Sequence, residues 1–155
     1  MNEAFELPAP IGTNYEYILA SRHDRLVMVA GQIAKVGDNT LHATGRCGED
    51  VDLETACKNA EIAAGQVLAW LSEHCEPDER IERILRMTAH IAVGNQPFDI
   101  STVADAASRL FISALGEAGR HPRSVIGVSR LPRNAPVLLE VTAVLGPLDR
   151  SEMHR

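Results

Sequence analysis

Residues 121–145, HPRSVIGVSRLPRNAPVLLEVTAVL, contain the pattern that decides the fold. Residues 124–131 and 137–145 are rich in Val, Ile and Leu, and the segment PRNAP between them is typical of a turn. They predict two consecutive strands. The second run, PVLLEVTAVL, has apolar residues at positions pointing to both sides, which predicts a sheet with two apolar faces.

Further strands are predicted toward the N-terminus. Residues 25–33, RLVMVAGQI, are typical of a buried strand, and residues 15–20 predict a strand before it. His23 and Asp24 would form the hairpin turn between them. The glycines and Asp-Asn pair within residues 35–51 predict loops around a short strand.

Two helices and one more strand complete the pattern. Apolar residues from Leu53 to Leu71 recur at three- and four-residue spacing, and Asp52 is a candidate N-cap. Residues 81–93 predict a strand. Residues 100–115 predict a second helix, ended by Gly116. The predicted order is ββ(β)αβαββ, an α+β domain.

The length of 155 residues predicts a single domain, with an irregular lead-in over residues 1–14 and a tail over residues 146–155. Apolar residues make up 45% of the chain, enough for a core. The formal charge of −6 argues against nucleic-acid partners, because phosphate binding depends on Lys and Arg. We see no signal peptide, membrane span, paired cysteine spacing or metal motif, so we expect a cytoplasmic protein without a cofactor or metal.

The two predicted helices each have one apolar face and can cover one face of the sheet. The other apolar face would then lack a cover within the chain. Burial against further copies of the same chain is the simplest solution, and it predicts a homo-oligomer.

Four segments together resemble the Rid/YjgF family, also known as endoribonuclease L-PSP. They are GTNYEY (12–17), VMVAGQI (27–33), HPRSVIGVSRLP (121–132) and PVLLEVTAV (136–144). The resemblance covers residues 8–146 and is closest to a less-characterised branch. It implies a chorismate-mutase-like fold: a mixed sheet with two helices packed on one face, assembled as a trimeric barrel with ligand clefts between subunits.

Arg123 matches the ligand-binding arginine of that family. A guanidinium holds a carboxylate through two parallel hydrogen bonds. The resemblance therefore implies that Arg123 binds a small carboxylate such as a 2-imino or 2-keto acid. The alternative is a surface arginine in a salt bridge.

Glu140 lies within the apolar strand VLLEVTAV, where a carboxylate is costly to bury without partners. It matches the family's glutamate that orients or activates water. The resemblance therefore implies a catalytic role for Glu140 together with Arg123. The alternative is a glutamate on the solvated side of a two-sided strand.

Other positions match the substrate-binding segments of the family. Tyr15 matches a tyrosine that lines the cleft, and Gly31 and Gln32 match the Gly-Gln pair. Ser124, with the backbone from Val125 to Gly127, would line the same cleft. Alternatives are a core or edge tyrosine at position 15 and an interface hydrogen bond for Gln32.

His121, in RHPRS, is close enough in sequence to reach the mouth of the cleft, but a lone histidine is more often structural. The family's well-characterised deaminases usually have serine where this chain has Ala30 and an acidic residue where it has Gly127. The frame of arginine, glutamate and tyrosine remains intact.

The resemblance implies hydrolysis of reactive enamines or imines of amino acids to 2-keto acids and ammonia, as in 2-iminobutanoate/2-iminopropanoate deaminases. Ala30 and Gly127 favour an alternative, a trimer that binds a small carboxylate without turnover. A third interpretation is an endoribonuclease, which the acidic charge and an aromatic content of 4% argue against.

Overall fold

The structure is a computed structural model that describes residues 1–149 and 151. The described residues form seven strands and two helices, with two short 3₁₀ turns. They are β1 (Ala20–His23), β2 (Leu26–Gln32), β3 (Lys35–Gly37), β4 (Thr40–Leu41), α1 (Leu53–Glu73), β5 (Glu79–Ala92), α2 (Ile100–Leu115), the turn Gly116–Gly119, β6 (Arg123–Val128), the turn Pro132–Asn134 and β7 (Val137–Pro147).

Five of the strands form one mixed sheet in the order β1-β2-β7-β5-β6. β5 and β6 are parallel and joined through α2, whereas the other neighbours are antiparallel. β3 and β4 form a separate two-stranded hairpin. The α+β class and the mixed sheet with two helices are therefore confirmed.

Helix α1 begins where the sequence predicted, because the Asp52 side chain accepts a hydrogen bond of 2.8 Å from the Thr55 amide. Five of its eleven buried positions are alanine, which allows close packing against α2 and the sheet. Helix α2 spans the predicted residues and ends at Gly116, whose φ of 63° favours glycine. Both helices pack onto the same core as the inward residues of β2, β5 and β7.

The N-terminal hairpin differs from the prediction. Residues 15–19 lie outside any strand, and β1 begins at Ala20. His23 belongs to β1, so the two turn residues are Asp24 and Arg25, with Asp24 at a φ of 52°. The turn moves because the register pairs His23 with Leu26 and Ala20 with Val29, which buries Ala20 and Val29 together.

The predicted tail also begins later than expected. Gly146 and Pro147 continue β7, where they pair with Arg80 and Glu79 of β5. The interior of β7 alternates between buried residues and residues that face away from the helices. Arg150 and residues 152–155 of the predicted tail lie outside the described residues.

The sheet face opposite the helices carries exposed apolar side chains, as the strand patterns predicted. Met28 is 64% exposed, and Leu26 and Ile126 are nearly half exposed. We call this surface the open face. No described helix combines the length and the apolar character that crossing a membrane requires.

Candidate functional site

A cleft of about 1130 Å³ opens beside the C-terminal end of β2. Its walls come from the lead-in around Tyr15, from Gly31 and Gln32, and from Glu140 of β7. These residues are far apart in the sequence, and they are four of the predicted site residues. The turn Pro132–Asn134 and the β3–β4 hairpin contribute the remaining wall.

A β-bulge positions Gly31 and Gln32. Between Val29 and Gln32 the register of β2 against β7 shifts, so that Gln32 pairs with Leu139. Gln32 is buried and its Nε2 donates to the Ala30 carbonyl at 2.9 Å. A Cβ on Gly31 would lie 2.6 Å from the Leu138 side chain, so the close approach that the glycine permits is to Leu138 of the same chain.

Glu140 points from β7 onto the open face, and its side chain is 56% exposed. It is therefore a solvated carboxylate within one chain. Its Oε1 lies 3.9 Å from Nδ1 of His90, which faces the same way from β5. Among the described residues, this buried Nδ1 atom has no hydrogen-bond partner.

Tyr15 lines the mouth of the cleft. It is 67% exposed, and its backbone amide donates to Thr13 Oγ1 at 3.1 Å. Tyr15 is thus a surface residue of the chain and not a core tyrosine, and its ring is available to a ligand or to a neighbouring chain.

Arg123 lies apart from this cleft. It begins β6, the edge strand, and its side chain points to the helix side of the sheet. There Nη1 forms an ion pair of 2.7 Å with Asp105 and donates to Ser108 Oγ at 3.0 Å. Nη2 donates to the Ser101 carbonyl at 3.3 Å.

His121 supports Arg123 through Ser108. The Nδ1 atom of His121 donates to the Gly119 carbonyl at 2.6 Å, so in the neutral imidazole Nε2 accepts from Ser108 Oγ at 3.0 Å. Burial lowers the pKa of His121, and the positive charge of Arg123 lowers it further, against the opposing effect of the Gly119 bond. His121 is therefore a structural partner in this network, the alternative that its sequence context left open.

Ser124, Val125 and Gly127 continue along β6. Ser124 Oγ accepts a hydrogen bond of 2.7 Å from Arg86, and Val125 packs against the core. Gly127 is exposed, and its Cβ position has only ordinary contacts. Among the described strands β6 pairs with β5 alone, so the backbone groups on its other edge have no partner in that part of the chain.

The predicted site residues thus fall into two groups. The cleft group is Tyr15, Gly31, Gln32 and Glu140, and the β6 group is Arg123, Ser124, Val125 and Gly127. β7 and β5 lie between β2 and β6, a separation of about 14 Å at ordinary strand spacing. Arg123 and Glu140 also point to opposite faces of the sheet.

Comparison with known proteins supports the resemblance. No protein-family model matches the chain. Protein TCP17 of Trypanosoma cruzi is 28% identical over 141 residues, which cover 90% of this chain and 86% of that protein. The crystal structure of a candidate endoribonuclease from Shewanella oneidensis is 26% identical with a TM-score of 0.82, covering 90% of this chain and 91% of that one.

The YjgF gene product of E. coli has the same fold, with a TM-score of 0.62 at 24% identity, over 88% of this chain and 92% of that one. These likenesses support the predicted Rid/YjgF family.

Three further residues of the site belong to none of the motifs in the sequence. His90 lies beside Glu140, and Lys35 and Arg133 line the cleft. His90 is two residues from Thr88, the partner of Glu140 in β5, so only the strand register shows that it is near. Lys35 follows the predicted strand over residues 25–33 and lies at the start of the segment that the sequence predicted as loops. Arg133 was part of the predicted turn PRNAP.

Proposed function

We propose that this protein hydrolyses imines of small amino acids to 2-keto acids and ammonia, in a cleft that a neighbouring copy completes. The observation that supports this most is the division of the predicted site into the cleft group and the β6 group. A small ligand does not reach both groups within one chain, since β5 lies between Glu140 on β7 and the strand β6, and since Arg123 and Glu140 point to opposite faces of the sheet. It reaches both if β6 of one subunit lies against the cleft of the next.

The open face and the β6 edge favour such an assembly. The exposed Leu26, Met28 and Ile126 form an apolar surface on the sheet, and β6 presents an edge that pairs with no other described strand. We propose a homotrimer, the assembly that the family resemblance implies. Light scattering after size exclusion should give about three chain masses, and a monomer at all concentrations would contradict the cleft.

In this mechanism Arg123 holds the carboxylate of the substrate. Its guanidinium has five N–H donors, and its contacts with Asp105, Ser108 and Ser101 use three of them. The same contacts fix the direction of the side chain. The remaining donors are available to the ligand carboxylate, and the β6 backbone at Val125 would orient the nitrogen.

Glu140 handles the protons of the reaction. An enamine first tautomerises to the imine. Water then adds to the imine carbon, while Glu140 takes a proton from the water and passes it to the nitrogen, giving a carbinolamine. Transfer of the hydroxyl proton to the amino group through Glu140 breaks the C–N bond, releases ammonia and leaves the 2-keto acid.

Mixed assemblies test the proposal directly. Arg123→Ala and Glu140→Gln would each inactivate every cleft when present in all subunits. If the two residues act from different subunits, random mixing of the two variants restores both wild-type groups in about a quarter of the clefts. The variants should be unfolded and refolded together, and ammonia release compared with that of each variant refolded alone.

The outcome separates three possibilities. Restored turnover supports a shared cleft, whereas no restoration by a correctly assembled mixture excludes it. A wild-type protein that binds 2-keto acids but releases no ammonia above the spontaneous rate, from any imine tested, would be the carboxylate-binding trimer and not the enzyme.

A further inference from the structure

The inner wall of the cleft carries two cationic side chains that the proposed mechanism does not use. Lys35 is only 8% exposed, and its Nζ donates to the Gly12 carbonyl at 2.6 Å. Arg133 lines the cleft from the turn Pro132–Asn134, and its Nη2 donates to the Asn39 carbonyl at 3.0 Å.

Neither cation has a carboxylate partner in the part of the chain that the structure describes. Their polar contacts are backbone carbonyls, which leave further N–H donors of both side chains unused. Asp38 and Glu140 line the same cleft but lie more than 4.0 Å from either cationic group. A buried cation without a counter-ion is costly, so the pair favours a bound anion.

The pKa of Lys35 is lowered, as expected for a buried cation without a carboxylate partner among the described residues. Burial lowers the pKa of Lys35, and the positive charge of Arg133 lowers it further. The negative charge of an anion between the two groups would raise the pKa of Lys35 and so oppose both effects. Perturbed lysines in clefts are typical of functional sites.

The backbone at Arg133 is also unusual. Arg133 has a φ of 58° and Asn134 a φ of 57°, a left-handed conformation that is uncommon for arginine. A compact turn in this conformation directs Arg133 into the cleft, where its side chain meets the β3–β4 turn at Asn39. Such backbone conformations cluster at functional sites.

We propose that Lys35 and Arg133 form a subsite for a second anionic group of the ligand, a carboxylate or a phosphate. The inference rests on the proposed function in one respect, since Arg123 of the neighbouring subunit takes the first carboxylate. It assigns the substrate to a class: imino acids whose side chain ends in an anion. Aliphatic imino acids would lack this contact.

A matched pair of probes tests the subsite. 2-Oxopentanoate and 2-oxoglutarate have the same five-carbon chain, but only the second has a distal carboxylate. By calorimetry at low salt, 2-oxoglutarate should bind the wild-type protein roughly 10- to 100-fold more tightly, the effect of a charge-assisted contact. Lys35→Met and Arg133→Gln should each remove most of this difference and leave 2-oxopentanoate binding unchanged.

The control variants are Lys58→Met and Arg130→Gln. Lys58 lies on the exposed side of α1, and Arg130 is exposed three residues before Arg133. Both should retain the full preference for 2-oxoglutarate. Thermal unfolding of every variant separates loss of binding from loss of folding, and Arg133→Gln keeps the test open if Lys35→Met does not fold.

Competition with inorganic phosphate distinguishes a subsite for a phosphate group from a subsite for a carboxylate. Phosphate that competes with 2-oxoglutarate but not with 2-oxopentanoate supports a phosphate group, and no competition supports a carboxylate. Equal binding of the two keto acids overturns the subsite but leaves the proposed function standing. Phosphate binding that depends on Lys35, in a protein that binds neither keto acid, supports the subsite and contradicts the proposed function.

Discussion

The cleft beside β2 and the edge at β6 differ in how their polar groups are satisfied. On β6, Arg123 has an ion pair with Asp105 and two further hydrogen bonds, all from α2. In the cleft, Glu140 is more than half exposed, and the hydrogen bonds that Lys35 and Arg133 form with other described residues go to backbone carbonyls. One region holds its charged group in a fixed position, and the other leaves its charges open to a ligand.

This difference indicates a division of labour. A guanidinium fixed by three neighbours can orient a carboxylate without a large loss of side-chain entropy on binding. A solvated carboxylate beside a roomy cleft has space for water, which the proposed hydrolysis consumes. Arg123 and Glu140 point to opposite faces of the sheet, so the comparison of these two residues has functional meaning only across a subunit boundary.

The largest expected effect is on turnover and concerns Glu140. Glu140→Gln keeps the shape of the side chain but removes the basic carboxylate. The rate above spontaneous hydrolysis should fall by roughly 10²- to 10⁴-fold, while the 2-keto acid product still binds. The measurement is ammonia release from imines formed in situ, with the exposed Glu54→Gln of α1 as a control. Full turnover in Glu140→Gln would show that another group moves the proton.

The second prediction concerns the β6 group. Arg123→Ala should weaken binding of 2-keto acids by roughly 10- to 100-fold, the effect of losing a charge-assisted contact. Arg123→Lys should recover little, because the ammonium group lacks the planar fork. Calorimetry measures both, with Arg130→Ala as the control. Unchanged binding in Arg123→Ala would show that Arg123 does not bind the ligand and that its role is the salt bridge, the alternative interpretation.

A smaller effect is expected at Asp105, the ion-pair partner of Arg123. Asp105→Asn removes a negative charge 2.7 Å from the guanidinium but keeps a hydrogen-bond acceptor. Binding of 2-keto acids should tighten by roughly threefold to tenfold, since a competing charge is lost at a partly exposed site. Weaker binding, measured by the same calorimetry, would show instead that Asp105 is needed to aim the guanidinium.

The smallest effect is on stability and contrasts a second arginine pair with Arg123. Both Nη atoms of Arg22 bond to Glu79 at 2.7 Å, far from the cleft. The Arg22 hydrogen bond lowers the pKa of Glu79 to about 2, from an ordinary value of 4.5. As the pH falls, the Glu79 carboxylate is protonated in the unfolded chain before it is protonated in the folded protein. The stabilisation of the fold by this ion pair is therefore full above pH 4.5 and is lost as the pH falls toward 2.

Thermal unfolding of the wild-type protein and Glu79→Gln should show this dependence. The variant should melt a few degrees lower at pH 7, and the difference should shrink between pH 4.5 and pH 3. Turnover at pH 7 should be unchanged. A difference that is the same at pH 7 and pH 3 would show that the pair does not stabilise the fold through charge.

Local patterns were sufficient for most of the fold. The Asp52 cap, the apolar stripe of α1 and the glycine after α2 each act within a few residues, so the sequence alone located both helices. The first hairpin turn was predicted at His23 and Asp24, but it lies at Asp24 and Arg25. The position of the turn depends on which residues of the two paired strands are buried, and this is not visible in the local sequence. The continuation of β7 through Gly146 likewise depends on its pairing with Arg80 of β5.

The candidate site, like the fold, was predicted in part from the sequence and in part only from the tertiary structure. The sequence by itself determined the family resemblance, the chemical types of the candidate residues and the presence of an apolar second sheet face, because these follow from composition, spacing and motif. Only the tertiary structure decided that Arg123 and Glu140 point to opposite faces, that His90 meets Glu140, and that Lys35 and Arg133 meet in one cleft. These facts depend on strand order and register, which bring together residues that share no local pattern along the chain.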